Sequence, residues 1–186
     1  MLINVRNLFQ MFVSADRRYG PTYNVGIAQE IWRSLGRHGY TRRSGAPVVI
    51  VGYSGGGQVA LGASWYLGMA GIDVSVVTLG GMLSDDPGLD RVRQLWHLYG
   101  SKDSLQAMGH VLFPGRWRAA RLSSWNRALD EGRIHQVDIG PMTHDGRADY
   151  FDARTEHPNG GTHADATVAA ILTALESITA ASPVQG

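Results

Sequence analysis

A serine hydroxyl becomes a useful nucleophile only when a base takes its proton, and the base works only when a third group fixes its tautomer. The segment Gly52-Tyr53-Ser54-Gly55-Gly56 carries a serine in the pattern G-x-S-x-G, directly after the apolar run 48–51 and before a glycine-rich stretch able to start a helix. On a sharp strand-to-helix turn the serine backbone is strained, so Gly52 and Gly56, two positions to either side, are expected to be small to avoid clashes. The Ser54 oxygen then stands exposed at the end of a sheet, over the positive end of the following helix. The N–H of Gly55 is placed to donate to a developing oxyanion. Glycine-rich pentapeptides arise readily by chance, so the strand-turn-helix context carries this reading.

The base and the acid are sought on loops after later strands. Asp103 follows the apolar run 95–99 and the turn Gly100-Ser101-Lys102, and His144 follows the run 134–139 and Gly140-Pro141-Met142-Thr143. Parallel strands share a direction, so both loops open on the edge that carries Ser54. Asp103 is expected to orient the imidazole and His144 to act as general base. Asp103 is also suited to cap a helix beginning at Ser104. Asp85 and Asp86 are competing acids, and His135, His157 and His163 are competing bases.

These residues need a scaffold with one functional edge. Residues 22–38 read as an amphipathic helix, with Ile27, Ile31 and Leu35 four apart. The unbroken run 48–51 reads as a strand buried on both faces, followed by a helix over 56–70 and strands over 74–79, 95–99 and 134–139. A short helix is expected near 88–93, further helices within 104–132, and a closing helix over 162–180. Strands alternating with helices predict an α/β fold with a mostly parallel sheet flanked by helices. With 186 residues and no long linker, 1–186 is expected to form a single domain.

The three motifs together resemble the C-terminal part of the α/β-hydrolase superfamily of esterases, lipases and thioesterases. Gly52 to Gly56 resemble its nucleophile elbow, Gly100 to Asp103 its acid loop, and His144 with the downstream Tyr150-Phe151 its histidine loop. The resemblance covers roughly residues 22–180 and implies Ser54 as nucleophile, His144 as general base and Asp103 as orienting acid. It implies cleavage of a carboxylic ester or thioester through an acyl-enzyme, without a cofactor. Members usually place several strands before the elbow and draw a second oxyanion donor from an early loop. Here 46 residues precede the run opened by Pro47, and the histidine among them, in His38-Gly39-Tyr40, is not followed by a run of glycines. The sheet is therefore expected to be reduced: the chain is truncated, the fold is minimal, or a partner such as a second copy covers the exposed edge.

Composition narrows the alternatives. Without cysteine there is no disulfide, thiolate zinc site, iron–sulfur cluster or cysteine nucleophile. No secretory signal is visible, so a cytoplasmic or peripheral membrane location is expected over secretion. Residues 1–45 hold seven arginines against Asp16 and Glu30, a local charge of +5, while the remainder carries −4. This is the pattern of a solvated basic face or of contact with an acidic surface, and no nucleic-acid motif accompanies it. The aromatic, arginine-bearing segment 111–118, with Arg121 and Trp125, reads as a lid, as an acyl-chain groove meeting a lipid surface, or as ordinary packing. Gly55-Gly56-Gly57-Gln58-Val59-Ala60 also fits a dinucleotide turn, but the acid that motif needs is missing from the end of the next strand. His144, Asp149, Asp152, His157, His163 and Asp165 are candidate metal ligands without ligand-like spacing. A hydrolase-like scaffold that only binds is the non-enzymatic alternative.

Overall fold

Four parallel strands form one sheet in the order β1-β2-β3-β4: β1 (Val48–Tyr53), β2 (Val74–Leu79), β3 (Leu95–Tyr99) and β4 (Ile134–Asp138). A computed structural model describes residues 2–181, so both ends of the expected 1–186 domain lie outside the described residues. The helices are α1 (Leu2–Ala15), α2 (Gly20–Arg37), α3 (Gly55–Met69), α4 (Ser104–Leu112), α5 (Ser124–Asp130) and α6 (His163–Ala180). The fold is α/β, a parallel sheet flanked by helices. The expected short helix near 88–93 is a 3-10 helix, Pro87–Asp90, opened by the Asp86 side chain accepting from Gly88 N–H.

The two faces of the sheet serve different helices because side chains alternate along a strand. Val74 and Val76 of β2 join Leu61 and Leu67 of α3, Leu89, and Trp125 of α5 in one cluster, with Ile27, Ile31 and Leu35 of α2 packed against it. Val77 and Leu79 of the same strand join Leu98, Met142, Tyr150 and the α6 residues Ala174 and Ile178 in the other. Every β2 residue is buried, as a central strand between two layers requires.

The strand β1 meets one expectation and departs from another: no described strand precedes it, as a reduced sheet requires, but its burial differs. It pairs only with β2 and is an edge strand, with Val51 49% exposed, so it is not buried on both faces. An apolar run fits an edge strand with two apolar faces as well as a central one.

Helix α1 is the element the hydrophobic pattern does not announce. Apolar residues follow one another around the helix, and Phe9 and Phe12 remain exposed. Its attachment is partly polar: Ser14 Oγ donates to Asn24 Oδ1 at 2.7 Å, and Asn24 Nδ2 donates back to Ser14 O at 3.1 Å. Asn24 lies over Gly62 of α3, where an added Cβ would come within 2.2 Å of its amide nitrogen. Met11, 1% exposed, is the apolar anchor of α1. Met11→Ala is therefore expected to lower unfolding free energy by about 2–4 kcal/mol. Phe9→Ala, at a site 68% exposed, should change it by less than about 0.5 kcal/mol, both read by urea denaturation.

Candidate active site

Ser54 sits between β1 and α3 with φ 53° and ψ −127°, a backbone conformation non-glycine residues rarely adopt. Two backbone bonds hold the turn: Ser54 N–H to Leu79 O at 2.9 Å and Gly57 N–H to Ser54 O at 3.0 Å. The need for a small residue falls on one side only. A Cβ on Gly52 would lie 2.6 Å from Gly56 O, whereas a Cβ on Gly56 would meet nothing within 4 Å. The expectation that Gly56 must be small for the turn is thus corrected; Gly56 lines the adjoining cavity instead. Gly55 opens α3, so its N–H belongs to the positive end of that helix.

The loops after β3 and β4 bring the other two residues to Ser54. Ser54 Oγ lies 2.7 Å from His144 Nε2, and His144 Nδ1 lies 2.9 Å from Asp103 Oδ2. Donation of Nδ1–H to the carboxylate leaves Nε2 to accept the serine proton. Tyr53, the residue between Gly52 and Ser54, stacks on the imidazole at 5.4 Å between centroids, and its hydroxyl donates to His144 O. Burial pushes the Tyr53 phenol up to about 12, with Asp149, Asp103 and Asp145 adding to the effect, so it stays a donor at neutral pH.

Asp103 caps α4 with one oxygen and meets the imidazole with the other. Oδ1 caps α4, accepting from Leu105 N–H at 3.0 Å and Gln106 N–H at 3.1 Å. Oδ2 accepts from His144 and from the Tyr150 hydroxyl at 2.7 Å. Burial pushes this carboxyl up, but hydrogen bonds from His144, Tyr150 and the α4 backbone outweigh it and leave the group below its ordinary range. Tyr150 is fully buried, and its oxygen also accepts from Gly100 N–H at 2.8 Å. It fastens the acid to the end of β3, a contact that sequence spacing does not reveal.

The His144 loop is braced from within. Ala148 has φ 65°, its N–H donates to Asp152 Oδ2 at 2.8 Å, and its carbonyl lies 3.0 Å from His163 Nδ1. The Thr155 hydroxyl and the N–H groups of Ala148 and Arg154 hold the Asp152 carboxyl well below the usual range. The competing residues have other partners. Asp86 binds Gln58 and Gly88 N–H, and burial pushes it up to about 6. Asp85 pairs with Arg17, His135 stacks on Trp96, and His157 Nε2 lies 3.0 Å from Ile139 O. His97, not weighed from the sequence, is buried between Thr78 and Gln106, and burial pushes it down to about 4.

A cavity of about 440 Å³ opens on Ser54 and His144. Its walls come from Leu8 and Met11 of α1, Met82 after β2, Leu105 of α4, and the His144 loop. Segment 111–118, read as a lid, a groove or ordinary packing, does not line it and packs instead: Arg116 is buried over the Trp125 ring at 3.9 Å and donates to Leu83 O. Among the described residues no group of three or more His, Asp or Glu could hold a metal ion. Asp73, at the start of β2, pairs with Arg93 at 2.9 Å, at the wrong end of the strand for a nucleotide ribose. Comparison of the chain with protein-family models, curated proteins and solved structures finds no match. The geometry alone carries the functional reading.

Two measurements check this construction. Gly52→Ala is expected to lose about 1–3 kcal/mol of stability, while Gly56→Ala is neutral or gains up to about 1 kcal/mol, by urea denaturation. Tyr150→Phe removes a donor to a buried carboxylate and an acceptor for Gly100 N–H, costing about 2–3 kcal/mol at pH 7. Because the folded carboxyl of Asp103 titrates below its unfolded value, its contribution is complete above that value and fades as pH falls through the folded one. The deficit of Tyr150→Phe should therefore narrow as pH falls below the ordinary carboxylate range.

Proposed function

We propose that this chain is a serine hydrolase of the α/β-hydrolase type, cleaving a carboxylic ester or thioester through an acyl-enzyme on Ser54. The observation that carries the reading is the continuous chain of contacts from Ser54 Oγ to His144 to Asp103 at the mouth of a cavity. In this mechanism His144 Nε2 takes the serine proton while Oγ attacks the acyl carbonyl. The tetrahedral oxyanion meets the N–H of Gly55 at the start of α3. As the intermediate collapses, His144 returns the proton to the departing oxygen or sulfur, and the acyl group remains on Ser54. Water then enters, gives a proton to His144 and attacks the ester, and the acid is released as Oγ regains its proton.

Each residue does separable work. Asp103 holds the tautomer in which Nε2 is free and offsets the charge of the imidazolium that forms. Tyr53 and Tyr150 touch the base and the acid and act as positioning residues. No metal or organic cofactor enters these steps, since every proton and electron pair is handled by Ser54, His144 and water.

The test is labelling of the purified chain by a fluorophosphonate, beside a heat-denatured sample, followed by ester hydrolysis. Ser54→Ala is expected to abolish labelling, and Ser54→Ala or His144→Ala to lower kcat about 10⁵–10⁶-fold. Asp103→Asn should lower it about 10⁴-fold. Wild-type turnover in Ser54→Ala, or a folded chain that resists the probe, sinks the proposal.

A further inference from the structure

An acyl-enzyme mechanism divides a substrate in two, and the cavity walls differ along that division. The departing group takes its proton from His144 Nε2, so it lies beside the His144 loop, where Asp145, Asp149 and Phe151 form the wall. The acyl group stays on Ser54 with its carbonyl oxygen toward Gly55 N–H. The remaining wall there is built by Leu8 and Met11 of α1, Met82 and Leu105, four side chains without charge or a strong hydrogen-bonding group. Such a wall gives a carbonyl's polar end nothing to bind but rewards every methylene it removes from water.

Resting on the serine hydrolase reading, we infer that the acyl group is an apolar chain of medium length, about six to ten carbons, held between α1 and α4. The volume of about 440 Å³ lies toward the lower end of the range that encloses drug-sized ligands. It is more than an acetyl group fills and little for the longest fatty chains. The chemistry of the wall agrees. Met11 and Met82, both buried, are unbranched and adapt to a flexible chain, where β-branched residues would impose one shape. Met82 sits on the loop after β2, which Gln58 pins by accepting from Ser84 N–H at 2.8 Å and donating to Asp86 at 2.8 Å. The floor of the chain site is thus fixed to the helix that begins at the nucleophile. Leu8 and Leu105, partly exposed, stand on opposite helices at the rim.

The experiment is kcat/KM for p-nitrophenyl esters from acetate to palmitate, run on chain that has first been scored for Ser54-dependent fluorophosphonate labelling. The expected result is a rise of about fourfold per methylene up to octanoate and a fall by palmitate. Leu105→Trp and, separately, Leu8→Trp narrow the site from opposite sides at partly exposed positions that tolerate a larger ring. Each is expected to lower the octanoate-to-acetate ratio of kcat/KM at least tenfold. Labelling together with a flat series, a preference for acetate, or a ratio untouched by both variants overturns the chain-length inference and leaves the hydrolase reading in place. Absence of labelling in folded protein overturns both.

Discussion

The arrangement depends on one strained residue. Ser54 holds a positive φ that costs on the order of 1–3 kcal/mol, and that conformation alone lets β1 end and α3 begin within a single step of the chain. The strain is sustained because both sides are anchored: the Ser54 N–H is bonded to β2, and Gly52 is pressed against Gly56 O where a methyl group would not fit. The hydrogen-bonded anchoring is one-sided across the sheet, since β1 is an edge strand that pairs with β2 alone among the described strands. A turn of this kind on a poorly packed helix would relax. Here α3 is buried from Gly55 through Leu67 on its inner side and pressed upon by α1 and α2, which removes that freedom.

Once the serine is fixed, the direction of the strands does most of the remaining work. Parallel strands deliver every following loop to the same edge, so the segments after β3 and β4 need only be the right length to meet at Ser54. The buried carboxylate of Asp103 then acts as the knot between them. It receives two backbone N–H groups of α4, the imidazole and the Tyr150 hydroxyl, so an isolated charge in a low-dielectric site is fully matched by donors. This explains how one residue can cap a helix and, on the proposed reading, orient the imidazole. The two oxygens face opposite ways, and neither role draws on the other's lone pairs.

What could be read from the residues follows from the range of the interactions involved. The strands were visible because central strands of a parallel sheet are mostly apolar runs, as in residues 74–79, and α6 because apolar residues recur along it up to Ile178, which is buried. Ser54, Asp103 and His144 could be named because each follows such a run by a short turn. The edge position of β1 was legible from the lack of strands expected before residue 47 and not from the run itself, since an apolar run does not say how many neighbours it has. Helix α1 escaped because the apolar residues that follow one another around it dilute any period, while Met11 and Ser14 are the buried ones among its described side chains. The pairing of Ser14 with Asn24, of Gln58 with Asp86 and of Thr78 with His97 joins residues 10, 28 and 19 positions apart. No local pattern marks such pairs. In segment 111–118 the packing alternative is the one that holds for Arg116, which is stacked on Trp125 and buried, and burial pushes it down to about 10.

The two helical walls of the cavity are coupled to the site in unequal ways. The first turn of α4 presents the Leu105 side chain to the cavity while its backbone N–H is one of the bonds that hold Asp103. Shifting α4 outward would therefore strip the acid of two donors and disturb the orientation of His144. Helix α1 has no such link. It is held by Met11 and by the paired bonds of Ser14 and Asn24, and displacing it would expose those groups without touching a bond to Ser54, His144 or Asp103. Its packing is against α3 and α2, so it bounds the cavity through the helix that follows Ser54 rather than through the acid. On the proposed reading, the α4 wall and the acid move together, while the α1 wall is set by packing on α3.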